Sequence, residues 1–499
     1  MLSRLMLPLL GLCFTISAWG AQTCNDHIPV STPTKRFTIN ADNTITDIRT
    51  GLTWKRCLEG STGGQCEQGK AKLFSWQQAL QQAASQSGWR LPNIKELASI
   101  VELKCYNPAI NLAIFPALSN EGVWSSSPNA SGPYSTTAWY VYFYNGYSFN
   151  SYDRSSSLYV RLVHDISSPP LFSAPQNVVT TTGDGQITLT WDAVNNANSY
   201  QITNEAGKVL ATTVTGTTYT FTGLTNNQIY SYRIAAQDAT GKLGTYTAIS
   251  YATPKAPTPT SIVTISKLND TGITWGADYP SGNNTTCIGD TIAEQDCSHG
   301  RDVTHNDDSD GHAGFSFTKI DENGNDLPAT ASTWACVRDN VTGFMWEVNK
   351  IKNGKIGDEG LHDADDEYTW YNTNNKTNGG AVGSENDGGA ICHAYQANNP
   401  ASYCNTEAFV NRVNKVGLCG HTDWSIPHRE VLLSIVDYSR QQPAIDINYF
   451  PNNIGGWYWS SSPSANNSNN AWLVSFYLGG ILSTPRDSAR RIQLVRGGQ

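Results

Sequence analysis

Three groups of residues in this 499-residue chain are of types and spacings that do chemistry. The first is acidic. Asn306, Asp308 and Asp310 alternate ahead of Gly311, as at the start of a calcium loop, and make Asp308 and Asp310 the metal-ligand candidates with calcium as the ion. The Glu that such a loop needs at its twelfth position is replaced by Phe317, so a solvated polar loop is the competing reading. A second acidic run, Asp363, Asp365, Asp366 and Glu367, has the same alternative. His299, His305 and His312 are spaced too loosely to favour zinc. The second group is Ser125–Ser127 and Ser460–Ser462. Each run follows a Trp and precedes a Pro, with no His at matched positions, and reads as a hydrogen-bonded turn rather than a nucleophile. The third is aromatic. In AWYVYFYNG, from Ala138, the side chains alternate. Trp139, Val141 and Phe143 face a core. Tyr140, Tyr142 and Tyr144 face the other way, and the following loop adds Tyr147, Asn150, Tyr152 and Arg154. Exposed phenols stack on sugars or peptides. Arg154 suits sulfate or carboxylate. Tyr477 is the matching aromatic later in the chain. The competing reading is ordinary, partly buried sheet residues.

Other catalytic signatures are absent: there is no H-E-x-x-H, G-x-S-x-G, P-loop or dinucleotide fingerprint. Only 15% of residues are charged and the net charge is −9, the opposite of a nucleic-acid footprint. The first 20 residues read as a signal peptide: Arg4, an apolar run from Leu5 to Ala18, then small residues at Ala18 and Gly20. No later apolar run is long enough to span a bilayer, so no integral membrane anchor is expected. The expected location is secreted, periplasmic or cell surface. Ten cysteines follow the signal: Cys24, Cys57, Cys66 and Cys105 early, then Cys287, Cys297, Cys336, Cys392, Cys404 and Cys419. Even counts in an exported chain read as disulfides. Cys57–Cys66 is expected around a short Gly-rich loop, leaving Cys24–Cys105; pairing among the later six stays open.

The elements that position these residues occur twice. Residues 89–128 recur at 424–463 with one offset, 335, and no gap. Trp89 maps to Trp424, Pro108-Ala109-Ile110 to Pro443-Ala444-Ile445, and Trp124 to Pro128 onto Trp459 to Pro463. The period is too long for a solenoid, so one domain is duplicated. The first copy, 21–166, opens with a hairpin turning at Ala41 to Asn43. A helix follows from Ser75 to Ser87, with Ser75 as N-cap and Trp76, Ala79, Leu80 and Ala83 on one face. A second helix starts at Pro92, and LYVRLVH is a last strand. The second copy, 262–499, carries an N-terminal extension and an insert of 43 residues between Trp346 and Trp424, expected as a loop excursion. Between the copies, 173–254 has short β-patterned runs at regular spacing. Pro-rich linkers flank it at 167–170 and 255–261.

Two resemblances follow. Residues 173–254 are similar to fibronectin type III domains, with Trp191 and Tyr200 in the core and Leu224 and Tyr230 spaced as a tyrosine corner. That implies an immunoglobulin-like sandwich, serving as a spacer or interaction module. The repeated unit, with its TGLTW, WRLP, PAI…FP and WSSSP landmarks, resembles the Lcl C-terminal domain family, named for the end domain of a collagen-like adhesin that binds sulfated glycosaminoglycans. The resemblance implies an α+β, C-type-lectin-like fold in both copies. The function expected is that of an exported, disulfide-bonded ligand-binding or adhesion protein. Its partner would be a glycan, another surface polymer or a protein, and two linked modules would supply avidity. The alternatives are a metal-dependent or oxidase-type enzyme on a lectin-like fold, and a structural component of a surface assembly. The oxidase would need redox cysteines near the C-terminal end of its domain, and none follows Cys419.

Overall fold

A computed structural model describes residues 22–116, 122–130, 136–165, 175–252 with short breaks, and 268–497 apart from 286, 288–293, 352, 387–389 and 454. The signal peptide and both linkers lie outside the described residues. In the first copy, Phe37–Ile39, Thr44–Asp47, Leu52–Lys55 and Val163–Asp165 form one antiparallel sheet. The helix Trp76–Ala84 begins at a capping box. The Ser75 hydroxyl accepts from the Gln78 amide (3.3 Å), and the Gln78 side chain accepts from the Ser75 amide (2.9 Å). The next helix is Ile94–Ser99, not one starting at Pro92. Asn93 supplies its cap, accepting from the Glu96 amide (2.9 Å) while the Glu96 carboxylate accepts from the Asn93 amide (2.8 Å). Proline offers no side-chain acceptor for that role.

The serine runs are strand, not turn. They lie in Gly122–Pro128 and Trp457–Pro463, each antiparallel to its neighbour with a register shift inside the run. The outer serines of each run tolerate burial because their hydroxyls find partners. Ser125 donates to the Trp139 carbonyl (2.8 Å) and Ser460 to that of Trp472 (2.9 Å). Ser127 and Ser462 accept from the first helical amides, those of Ile94 (3.0 Å) and Arg429 (3.1 Å).

The two copies are not beads on either side of a spacer. Tyr147–Phe149 of the first pairs with Ile481–Pro485 of the second, Ser148 opposite Ile481. One six-stranded sheet results, in the order Gly122–Pro128, Ala138–Tyr142, Tyr147–Phe149, Ile481–Pro485, Asn470–Ser475, Trp457–Pro463. The copies' equivalent strands run outward from the seam. Pairing satisfies backbone groups that each copy alone would leave open at an edge. The Trp-Val-Phe faces of both copies enter a single core. Trp139 meets Tyr438 edge-on at 4.9 Å, and Tyr147 meets Trp472 at 5.0 Å. The second copy's own sheet is Phe317–Ile320, Asp326–Leu327, Cys336–Asp339, Phe344–Glu347 and Val495–Gly497.

The extension ahead of the second copy belongs to both. It bonds the second copy through the Tyr438 amide on the Thr271 carbonyl (2.8 Å) and Asn269 on Asp339 (2.6 Å). It bonds the first through Asn93 on Asp270 (3.1 Å), Ser127 on Asp296 (2.5 Å) and Asn283 on the Asn129 carbonyl (3.3 Å). The second copy's additional residues are likewise more than an excursion. Trp370 fills the site that Trp76 fills in the first copy: their indoles donate to the carbonyls of Ser460 (2.9 Å) and Ser125 (2.8 Å), which are matched residues. Five disulfides close: Cys24–Cys105, Cys57–Cys66, Cys287–Cys297, Cys336–Cys419 and Cys392–Cys404. Between the copies, two sheets pack around Trp191, Tyr200, Tyr232 and Ile234. The Tyr230 hydroxyl accepts from the Thr225 amide (2.9 Å), as a tyrosine corner does.

Candidate functional site

The tyrosine face divides. The strand ends at Tyr142, so Tyr144 lies in the turn beyond it. Tyr140, expected on the exposed face, is 4% exposed. Its ring packs edge-on to Trp124 at 6.0 Å and against Phe149 at 6.0 Å and Tyr152 at 4.8 Å, and its hydroxyl bonds Ser151 (3.0 Å). The first copy has a small second core under that face, built by Trp76 and Leu80 of its helix, and Tyr140 is part of it. Tyr142 is half-buried, 6.1 Å from the ring of Tyr144. Tyr147 is half-buried at the seam, its hydroxyl bonded to Ser483 of the second copy (2.8 Å). Asn150 is half-buried. Tyr144, Tyr152 and Tyr477 are open to solvent at 37%, 44% and 46%.

Arg154 corrects the sequence reading most sharply. It is 0% exposed. Its guanidinium donates to the carbonyls of Asp278 (2.6 Å), Gly282 (2.8 Å) and Thr137 (3.3 Å) and to the Asn283 side chain (3.0 Å), and it lies 5.3 Å from the Trp76 ring. It ties down the extension, and its burial keeps it from a glycan anion. Arg486 does the same for the second copy's additional residues. It donates to the Asn378 carbonyl (2.9 Å) and to that of Ala381, 4.0 Å from the Trp370 ring.

The acidic pair also separates. Asp308 accepts from the Ala313 amide (3.0 Å) and faces His312 Nδ1 (3.1 Å), whereas Asp310 accepts from the Ser316 hydroxyl (2.5 Å). Among the described residues no three His, Cys, Asp or Glu side chains converge as a metal site. The loop does something else: it forms one wall of an open cavity of about 520 Å³ in the second copy. That volume is within the roughly 300–1,000 Å³ of small-molecule sites. Lys319, Ser332 and Trp334 form a second wall, and Arg440, Asp446, Asn448 and Tyr449 a third. The Trp334 indole donates to the Tyr449 carbonyl (2.9 Å), which locks the aromatic corner. Lys319 Nζ sits 3.7 Å from the Trp334 ring centre and donates to the Ala331 carbonyl (2.8 Å). Asp446 accepts from the amides of His312 (3.0 Å) and Asn448 (3.0 Å). Burial lowers the Lys319 ammonium's pKa below the usual lysine value and pushes Tyr449 up to about 12. Sequence reading missed this cavity because its walls come from segments more than 100 residues apart. In the first copy Asn111 stands at the place of Asp446, and its side chain is taken by the Thr32 carbonyl (2.8 Å) of the N-terminal segment.

A second charged group lies buried at the seam. Lys95 Nζ donates to the carbonyls of Asp270 (2.5 Å) and Ser434 (3.1 Å) and lies 4.6 Å from the Phe315 ring centre. Around it, burial and mutual repulsion raise Asp270 and Asp296, and push Asp302 up to about 8. Burial drives Lys95 down to about 8. These groups join the two copies.

Comparison with known proteins matches the sequence to two families. The Lcl C-terminal domain matches at 43–164 and 335–496, together more than half of the chain, and a fibronectin type III domain matches at 173–253. The tail tube protein gp17.1* of Bacillus phage SPP1 is 38% identical over 73 residues, 15% of this chain and 28% of that protein. An amylopullulanase of Thermoanaerobacterium saccharolyticum is 35% identical over 98 residues, 19% of this chain and 7% of that protein. The chain thus spans under a third of either curated relative. Among solved structures, an Fn3-like protein from Clostridium thermocellum is 28% identical over 18% of this chain and 100% of its own, with a TM-score of 0.16. Neither matched family is enzymatic, and the disulfides together with these domains fit an extracellular adhesion-type protein. The chain belongs to the Lcl C-terminal domain family, with two copies of that domain on either side of a fibronectin type III domain.

Proposed function

We propose that this protein is an extracellular adhesion-type binding protein that recognises glycan, and that its contact is the cavity of the second copy. One observation carries the reading. An open space of about 520 Å³ brings Trp334 and Tyr449 together with Ser309, Ser332 and Asn448. Aromatic rings take the C–H face of a sugar, and hydroxyl and amide groups take its hydroxyls. The lectin-like fold implied by the family resemblance is in keeping with it. Tyr144 and Tyr152 on the first copy are the alternative contact, supported by their exposure. A glycan array probed with the full chain and with Trp334→Ala tests the assignment. The expected result is one class of glycan bound by the parent and weakened about tenfold or more in the variant, since an aromatic contact is worth ~1 kcal/mol or more beyond its buried area. Loss in Tyr144→Ser with Tyr152→Ser, and none in Trp334→Ala, would move the site to the first copy.

A further inference from the structure

The charges on the cavity wall are already committed. Arg440 Nε lies 2.5 Å from Asp437 and its Nη1 3.5 Å from Asp446, so one guanidinium serves two carboxylates. Lys319 donates to the Ala331 carbonyl and lies over the Trp334 ring. Asp446 already accepts two backbone amides. The charged side chain most open to solvent on this wall is Asp308, and it is negative. A sulfate or carboxylate entering here would lose its water, meet cations that already face acceptors, and stand near Asp308. That desolvation is not offset. Hydroxyl groups face no such cost, because each donates and accepts and can bond Ser309, Ser332 and Asn448 without breaking a charge pair. The chain's net charge of −9 acts in the same direction. Most of the wall, from Asp308 to Trp334, precedes the family match at 335–496, so the match does not cover it.

We propose that the cavity takes an uncharged saccharide and excludes sulfated or uronate-bearing chains. The proposal rests on the glycan reading above. The test titrates the full chain, by calorimetry and by tryptophan fluorescence, with neutral hexasaccharides (cello-, malto- and chito-) and separately with heparin. At least one neutral sugar is expected to bind, with affinity changing less than about twofold between ~0.05 and ~0.5 M NaCl, since no ion pair is screened. Heparin is expected to bind at least about tenfold more weakly at ~0.15 M. Ser332→Trp, which fills the cavity from an exposed position on its wall, should abolish neutral binding while the circular dichroism of the chain is unchanged. Should that variant misfold, Asn448→Ala replaces it, with a loss of about fivefold expected for one sugar hydrogen bond. Heparin binding that falls steeply with salt, is lost in Lys319→Met and outcompetes every neutral sugar would overturn the proposal and leave the glycan reading standing. Binding of no saccharide of either kind would remove the glycan reading and this proposal together.

Discussion

Stability should pass through a minimum near pH 8, because of the buried charges at the seam. Asp302 has a folded pKa of about 8 against an unfolded value of roughly 3.9. Between those values the folded state holds a proton that the unfolded state has released, so stability falls as pH rises. Asp270 and Asp296 are shifted in the same direction. Lys95 has the opposite sign: its folded value, about 8, lies below the unfolded value of roughly 10.4, so stability recovers between the two. His421, lowered by burial, works against the carboxylates below about pH 6.5 and is silent above it. Asp366, at about 6, is mostly ionised by then. The window from about 6.5 to 8 therefore isolates the aspartates. At ~1.4 kcal/mol per pH unit, Asp302 alone removes up to about 2 kcal/mol across it. At roughly 2.1 cal/mol/K per residue, a body as large as the two joined copies loses roughly 2–3 °C in Tm. The assay is thermal unfolding by near-ultraviolet circular dichroism from pH 5 to 10. In Lys95→Met the recovery above pH 8 should shrink to what Lys319, also lowered by burial, contributes. The decline should also extend further, because Lys95, after the Gly314 amide, helps to hold Asp302 down. A Tm that is level or rising from pH 6.5 to 8, with Lys95→Met following the parent, would refute this account of the seam.

Two further outcomes separate structural from surface residues. Arg154→Met should cost about 3–5 kcal/mol, because it strands buried carbonyls and releases the extension. Tyr144→Ser should stay within about 0.5 kcal/mol, as a surface change; chemical denaturation of both variants measures the contrast. A protease site placed at 255–261 and cut in the folded chain should leave the two Lcl domains together on a sizing column, since they share one sheet and one core. Separation into two monomers would contradict the shared core.

The sequence alone determined the duplication, the order of domains and the local starts of structure. A gapless offset of 335 residues is a property of the chain and needs no coordinates. Ser75 capping its helix and Trp191 entering a sandwich core are local signals, set by side chains within a few residues of their partners. Even the match of Trp370 to Trp76 was present in the chain, as Tyr368-Thr369-Trp370 against Phe74-Ser75-Trp76, before the additional residues hid it. Alternation identified Trp139, Val141 and Phe143 as one buried face, because a strand's period of two is local. It could not say that the opposite face is half covered, since the helix under Tyr140 comes from about sixty residues earlier. Nor could it assign Arg154. An arginine among polar loop residues looks exposed until a segment more than 120 residues away lays its carbonyls against it. The joining of the copies, the buried Lys95 and the cavity behind Trp334 all depend on which distant edges find each other. That choice is made by burial of area and by satisfaction of backbone groups across the whole fold, and no window of sequence contains it.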